Sequence, residues 1–213
     1  MATYDHEEQE QLAELKGWWS DNGNMVLTFL SVVAIILAAW QGWNFYQRSQ
    51  AAQASALYEA VQKAARANDL KKVRESAGAV LEQYPRTAYA AMAALVSAKV
   101  HFQGGDLKTA HVQLVWVSEN ARDEALQDIA RLRLASVMLD EKAYEDALKV
   151  LEAKHGAAFD AQFLATRGDA LVALGRNADA RSAYAQALEK AAAADGGLRG
   201  SIQLRLDALG AAK

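Results

Sequence analysis

A long stretch without a charged residue, close to the N-terminus, limits most strongly how this chain can fold. Residues 22–47 contain no Asp, Glu, Lys or Arg, and residues 25–43 within them are almost entirely apolar. A helix rises about 1.5 Å per residue, so these 19 residues would extend roughly 28 Å, close to the thickness of the hydrocarbon core of a bilayer. The sequence therefore predicts a transmembrane helix over residues 22–47.

Tryptophan side chains flank this stretch. Trp18 and Trp19 precede it, and Trp40 and Trp43 lie close to its C-terminal end. An indole ring is apolar but carries one polar N–H group, so it prefers the headgroup level of a bilayer. We expect these four side chains to lie at the membrane interfaces, in contact with membrane lipid.

Two other structures contain such stretches: a cleaved signal peptide and the buried core helix of a globular domain. A signal peptide has a basic N-terminal region, a shorter apolar core and small residues at its cleavage site. Residues 1–24 instead contain six acidic residues and one lysine, a net charge of −5, and bulky aromatic residues end the apolar run. A buried core helix is usually shorter. The sequence favours an uncleaved, single-pass anchor.

Residues 1–21 are predicted to form an acidic, amphipathic leader. An apolar edge at helical spacing is made by Leu12, Leu15, Trp18 and Trp19. This edge is typical of a helix that lies in the membrane interface, and contact with a cytoplasmic partner is the alternative.

The charges beside the predicted membrane helix do not decide its orientation. Lys16 lies on the N-terminal side, whereas Arg48, Lys63 and Arg66 follow the helix. Taken literally, the positive-inside rule would place the C-terminal domain in the cytoplasm, but long domains cross a membrane largely regardless of charge.

Residues 48–213 are predicted to be helical throughout. The chain contains one proline and no cysteine, and alanine is abundant after the membrane helix. This composition favours an all-α fold and excludes disulfides, zinc–thiolate sites and thiolate catalysis. Nucleic-acid binding is not expected, because Lys and Arg do not cluster.

A helical hairpin with a recognisable pattern is predicted near the C-terminus. Residues 163–188 read FLATRGDALVALGRNADARSAYAQAL. Gly175 is expected to end the first helix, and Asn177 is expected to cap the second. The positions that would form the contact between the two helices are Leu164, Gly168, Leu171, Ala180, Tyr184 and Ala187. The small residues among them allow the helices to approach closely, and Tyr184 fills the space beside them.

Weaker copies of the pattern precede this hairpin. The frame starts near residues 54, 91, 128 and 161, and an amphipathic segment over residues 197–209 is predicted to cap the array. The pattern resembles the tetratricopeptide repeat (TPR), a helix–turn–helix unit. The predicted fold is therefore all-α: a single N-terminal transmembrane helix followed by a TPR-like helical-hairpin solenoid over residues 48–213. A plain antiparallel helical bundle is the alternative.

The order of these segments resembles one known family. A leader ending in LAELKGWWSDNGN is followed by a single span, degenerate hairpins, the segment RGDALVALGRNADARSAYAQAL and a short terminal helix. This arrangement is similar to the YfgM family of Gram-negative bacteria, which are ancillary subunits of the SecYEG translocon with a tetratricopeptide-like domain.

The resemblance implies a single-pass protein of the inner membrane with a cytoplasmic N-terminus and a periplasmic C-terminal domain. It also implies association with the SecYEG translocon and with the membrane-anchored chaperone PpiD, and transfer of secreted client polypeptides to periplasmic chaperones. Control of an envelope stress response is attributed to the family as well, so a regulatory membrane tether is the alternative function.

In tetratricopeptide arrays the first helix of each repeat lines an inner groove. The resemblance places such groove positions at Tyr58, Met92, Leu95, Phe102, Ile129, Leu132 and Leu139. An apolar groove suits a hydrophobic segment of a partner, because apolar burial is non-directional. Packing against neighbouring helices is the alternative for each of these residues. Gln62, Ser136 and Asp169 occupy the positions where some arrays bind a C-terminal carboxylate, and their side chains do not support that use.

No catalytic, metal or cofactor site is predicted. The four histidines, His6, His101, His111 and His155, lack a metal-ligand spacing, and we expect the last three on the surface or in the groove. The chain contains neither a phosphate-binding loop motif nor a nucleophilic serine elbow. A binding protein is therefore expected rather than an enzyme.

Overall fold

The computed structural model describes the backbone of residues 4–193 and 195–210, and the side chains of residues 10–193 and 195–210. Residues 1–3 of the predicted leader and the side chain of His6 lie outside the described residues. The described part is helical and contains no strand, which confirms the all-α fold class.

Helices occupy almost all of the described part of the chain. They are α1 (Tyr4–Arg66), α2 (Leu70–Gln83), α3 (Ala88–Gln103), α4 (Leu107–Asn120), α5 (Glu124–Asp140), α6 (Tyr144–Leu151), α7 (Asp160–Ala173), α8 (Asn177–Lys190) and α9 (Gly196–Ala208). A short 3₁₀ turn, Ala157–Phe159, precedes α7.

The chain divides into two compact units, Met1–Ser49 and Gln50–Lys213. In the first unit, α1 carries the apolar stretch, and its large side chains, such as Phe29, Ile35 and Phe45, are exposed. Among the described residues, α1 is the one helix long and apolar enough to cross a membrane. A core helix would bury such side chains, so their exposure favours the membrane-spanning alternative.

The second unit is built from helical hairpins. The C-terminal part of α1 packs on α2, α3 packs on α4, α5 on α6, and α7 on α8. The first helices of successive hairpins also meet, α3 with α5 and α5 with α7. This succession of hairpins is the tetratricopeptide-like architecture.

The turn inside each hairpin has the same backbone geometry. Asn68, Gly105, Lys142 and Gly175 have φ angles of 52°, 80°, 61° and 74°, and the intervals between them are 37, 37 and 33 residues. The next residue in each turn donates its N–H to a carbonyl five residues back: Asp69 to Ala64, Asp106 to His101, Ala143 to Met138, and Arg176 to Leu171. This is the Schellman arrangement, which satisfies carbonyls at the end of the first helix.

Aspartate side chains begin several helices. Asp69, Asp106 and Asp195 accept hydrogen bonds from backbone N–H groups in the first turns of α2, α4 and α9, at 3.0–3.1 Å. The expectation that Asn177 caps α8 is wrong, because α8 begins at Asn177 itself. The residue before it, Arg176, closes the Schellman turn and makes no side-chain cap bond.

The third hairpin differs from the others. Its second helix, α6, has 8 residues, whereas α4 and α8 have 14 each. The loop that follows is tied to α5 by Asp128, which is only 2% exposed. One carboxylate oxygen of Asp128 accepts from the N–H of Gly156 at 2.9 Å, and the other accepts from Arg131 at 2.9 Å. The second helix of this hairpin is short, and the buried carboxylate of Asp128, with both oxygens hydrogen-bonded, supports the loop that follows it.

The last helix, α9, covers the final hairpin. Ile202 is fully buried in the core that α9 shares with α7 and α8. The guanidinium of Arg199 donates to the carbonyls of Leu188 and Ala191 at 2.8 and 3.0 Å, where α8 ends. Because it covers apolar side chains and satisfies terminal carbonyls, α9 acts as the cap of the array.

Candidate partner-binding groove

A pocket of about 300 Å³ lies where α3, α4 and α5 meet. Its described lining residues are Ala98, Lys99, Phe102, Leu114, Arg133, Ser136 and Val137. Because α3 and α5 are the first helices of successive hairpins, the pocket lies on the face where tetratricopeptide arrays form their inner groove. We call it the Phe102 pocket.

The floor of the Phe102 pocket is apolar. Ala98, Leu114 and Val137 are buried there, each no more than 3% exposed. Phe102 is 38% exposed and forms part of the rim. The hydroxyl of Ser136 donates to the carbonyl of Leu132 at 3.1 Å, so its one donor is used inside α5. The pocket therefore offers an apolar surface to an occupant.

The charged residues of the rim are both cations. Lys99 and Arg133 line the pocket with exposed side chains, and none of the described lining residues is acidic. In the part of the chain that the structure describes, no ion pair involves either residue. Neither cation belongs to the apolar groove positions predicted from the sequence or to the three positions considered there for carboxylate binding. The signal was available, since Lys99 lies three residues before Phe102 on the same helix face.

The other predicted groove residues occupy different environments. Met92 is 37% exposed on α3, whereas Ile129, Leu132 and Leu139 are half-buried against the core of the middle hairpins. Tyr58 and Leu95 are buried, and the Tyr58 ring packs 5.8 Å from that of Tyr89. These two side chains therefore pack against neighbouring helices, which was the alternative to a groove position. Of the seven predicted positions, Phe102 alone is among the described lining residues of the pocket.

The predicted contact residues of the last hairpin lie between α7 and α8. Leu171, Ala180, Tyr184 and Ala187 are buried there together with Gly168, and Leu164 is half-buried. The hydroxyl of Tyr184 donates to Asp169 at 2.7 Å, and Arg205 of α9 donates to the other oxygen of Asp169 at 3.0 Å. Burial raises the pKa of Asp169, although both of these interactions lower it. Burial also raises the pKa of Tyr184, which stays a neutral hydrogen-bond donor.

The four predicted interface tryptophans, Trp18, Trp19, Trp40 and Trp43, all project outward from α1 and are about half exposed or more. The ring of Trp43 lies 6.1 Å from that of Tyr46. The indole of Trp19 covers Gly23, where an added Cβ would lie 3.1 Å from the ring. Outward rings near the two ends of the apolar stretch are the arrangement that an interfacial position requires.

The histidines do not form a metal site in the described residues, where no group of three or more ligating side chains occurs. His111 lies 2.8 Å from Glu141, and the ring of His155 stacks on Phe163 at 3.8 Å. The expectation that His101 lies on the surface or in the groove is wrong, since its side chain is 1% exposed. It packs beneath the turn between α3 and α4, with Nδ1 3.2 Å from Asp106.

Comparison with known proteins agrees with this architecture. The family model described as "Tetratricopeptide repeat-like domain" matches residues 16–211, which is nearly the whole chain. A protein of Neisseria gonorrhoeae named "Ancillary SecYEG translocon subunit" is 30% identical over 207 residues, which cover 95% of this chain and 97% of the relative. The chain belongs to the YfgM family.

Further YfgM-family relatives are similar over a somewhat smaller share of the chain. A protein of Haemophilus influenzae with the same name is 30% identical over 188 residues, covering 86% of this chain and 90% of the relative. The protein of that name from Escherichia coli is 28% identical over 184 residues, covering 86% of this chain and 88% of the relative. The similarity thus includes both the apolar helix and the hairpin domain.

Proposed function

We propose that this YfgM-family protein is a non-enzymatic interaction protein, anchored in the inner membrane by α1, that associates with the SecYEG translocon. The observation that carries the proposal is similarity over nearly the full length to relatives named as ancillary subunits of that translocon. An exposed apolar helix and a hairpin array with an open apolar pocket are the parts that such a role needs.

The proposal extends to topology and partners. The N-terminal leader is cytoplasmic, the hairpin domain is periplasmic, and the protein acts with the chaperone PpiD to pass secreted polypeptides from the translocon to periplasmic chaperones. Family membership supports this orientation over the local count of Lys and Arg, because charge counts lose their influence when a long domain is translocated.

Photocrosslinking in living cells tests the association. The photoreactive amino acid p-benzoylphenylalanine replaces Met92 or Phe102, two exposed apolar residues of α3, or Val112 as a control on α4. We expect crosslinks to a translocon subunit, to PpiD or to a secreted polypeptide from Met92 and Phe102, and weaker crosslinks from Val112. Absence of all three kinds of product at both α3 positions would refute the proposal.

Protease treatment of spheroplasts tests the orientation separately. In spheroplasts, added protease reaches only the outer face of the inner membrane. It should therefore degrade the hairpin domain if that domain is periplasmic. Protection of the domain until the spheroplasts are lysed would place it in the cytoplasm and contradict the proposed topology.

A further inference from the structure

We propose that the Phe102 pocket binds one large apolar side chain of a partner protein, and that Lys99 and Arg133 bind the side-chain carboxylate of an adjacent Asp or Glu in the same segment. The inference rests on the proposed function and names the chemistry of the segment that the groove accepts.

The size of the pocket supports a side chain as the occupant. Pockets for small molecules and cofactors range from roughly 300 to 1,000 Å³, and a volume of about 300 Å³ is at the lower end of that range. Such a space accommodates one large apolar side chain. The buried floor of Ala98, Leu114 and Val137 gives that side chain an apolar surface to cover.

The charges at the rim determine what accompanies the apolar side chain. Two cations without ion-pair partners in the described residues flank a pocket whose described lining contains no acid. A carboxylate beside the apolar side chain would approach both cations, whereas a lysine or arginine there would be repelled. The helix that supplies Lys99 and Phe102, α3, contains no acidic residue at all, so nothing on it competes for Lys99.

The carboxylate is assigned to an Asp or Glu side chain and not to the C-terminus of the partner. Beyond the two rim cations, the described lining offers no free side-chain donor that would help to hold a chain end. The hydroxyl of Ser136, at one of the positions used for that purpose in other arrays, already donates to the carbonyl of Leu132. An internal segment with neighbouring apolar and acidic residues therefore fits the pocket better.

Fluorescence anisotropy with defined peptides tests the inference on the full-length protein in phosphatidylcholine nanodiscs. Four acetylated and amidated peptides carry Phe-Glu, Phe-Gln, Phe-Lys or Ala-Glu at the centre of the same Gly-Ser sequence. Because both chain ends are blocked, the glutamate side chain supplies the only carboxylate. We expect the Phe-Glu peptide to bind about tenfold more tightly than each of the other three, as two partly screened ion pairs and one buried ring would produce.

Two variants separate the pocket from the rim. Phe102→Ala should weaken binding of all three Phe peptides. The double variant Lys99→Glu with Arg133→Glu should reverse the preference, so that Phe-Lys binds more tightly than Phe-Glu. The matched control, Lys108→Glu with Arg122→Glu, changes two exposed cations outside the pocket lining and should leave every affinity within about twofold.

Several results would overturn the inference. These are equal binding of the Phe-Glu and Phe-Lys peptides, insensitivity to Phe102→Ala, or no binding of any peptide up to about 1 mM. Displacement of the Phe-Glu peptide in phosphatidylglycerol nanodiscs would identify a lipid as the occupant and would equally contradict it. If the inference about the pocket fails but the proposed function is right, the unchanged protein should still crosslink to the translocon. The crosslinking experiment therefore distinguishes failure of the inference from failure of the proposed function.

Discussion

Gly168 of α7 lies directly beneath the ring of Tyr184 of α8. A Cβ added at Gly168 would lie 2.4 Å from Cε1 and 2.6 Å from Cδ1 of that ring. The ring cannot simply move away, because its hydroxyl bonds to Asp169, which Arg205 of α9 also holds. The absence of a side chain at Gly168 thus permits the contact among α7, α8 and α9.

Substitution of Gly168 by alanine tests this contact. We expect Gly168→Ala to lower the free energy of unfolding by about 1–3 kcal/mol, because the methyl group overpacks the interface. Gly78→Ala in α2 is the control, since a Cβ there meets nothing within 4 Å. It should raise the free energy of unfolding by up to about 1 kcal/mol through the better helix propensity of alanine. Urea denaturation followed by circular dichroism measures both, and equal effects of the two changes would contradict the packing argument.

His101 makes stability depend on pH. Burial lowers its pKa, although the Asp106 carboxylate opposes this, and the Arg74 cation lowers the pKa further. The folded protein therefore takes up the proton less readily than the unfolded chain, whose histidine has a pKa of 6.5. The stabilising contribution of neutral His101 is fully present above the unfolded pKa and is lost as pH falls through the folded pKa.

The variant His101→Gln removes this titration. Between pH 7 and 5, about the range in which the unfolded histidine gains its proton, the wild type should lose more unfolding free energy than His101→Gln. The difference in slope should not exceed about 1.4 kcal/mol per pH unit, the limit for one proton. Urea denaturation at a series of pH values gives the two slopes, and parallel profiles would show that His101 titrates alike in both states.

At the scale of helices and turns, similar local sequences are not needed for identical geometry. The four hairpin turns share a positive φ and the Schellman hydrogen bonds, although they use Asn68, Gly105, Lys142 and Gly175. Glycine and asparagine tolerate this conformation, and lysine adopts it at a cost of about 1–2 kcal/mol. The packing of α5 against α6 must therefore impose the turn at Lys142.

The loop that follows the short helix α6 is held by Asp128 of α5. Asp128→Ala removes the acceptor of the Gly156 N–H and one acceptor of Arg131, whose guanidinium keeps its bonds to the Lys154 carbonyl and the Gln127 side chain. We expect a loss of about 1–3 kcal/mol of unfolding free energy, the usual cost of removing one partner of a hydrogen bond. Amide hydrogen exchange at Gly156 should also become faster, because its N–H loses its acceptor.

Asp146→Asn is the control for the Asp128 experiment. Its ion pair with Lys149 is exposed on α6, so the change should leave both the unfolding free energy and the exchange of Gly156 unaltered. Exchange at Gly156 as slow in Asp128→Ala as in the wild type would show that the loop is held by other contacts.

At the scale of the whole molecule, the two units serve different environments. The first unit presents an exposed apolar helix, and the second buries its apolar side chains between hairpins. An exposed apolar surface of this length is unfavourable in water and stable in lipid. The first unit therefore suits a lipid environment, and the second carries the pocket proposed to bind a partner.

Extraction of membranes with alkaline carbonate tests the anchor. The full-length chain should remain with the membranes. The variant Ile35→Asp with Ile36→Asp should be released into the supernatant, because each aspartate near the centre of a span costs about 2.5–3.5 kcal/mol. The control Val112→Asp, on the exposed surface of α4, should remain membrane-bound. Release of the wild type by carbonate would exclude a membrane-spanning α1.

Local patterns in the sequence predicted much of this protein. The uncharged stretch predicted the candidate span, and the scarcity of proline predicted the all-α class. Together with the 163–188 hairpin, these features indicated the YfgM family. These features succeed because hydropathy and helical periodicity involve residues close together in the chain.

The tertiary structure alone decided which side chains are covered. Tyr58 and Leu95 belong to the predicted groove set, yet neighbouring helices bury them, while Phe102 stays accessible in a pocket that Lys99 and Arg133 also line. The link between Asp128 and Gly156 likewise joins residues that are 28 positions apart in the sequence. Burial depends on which helix face lies opposite, and periodicity within one helix carries no information about its neighbour.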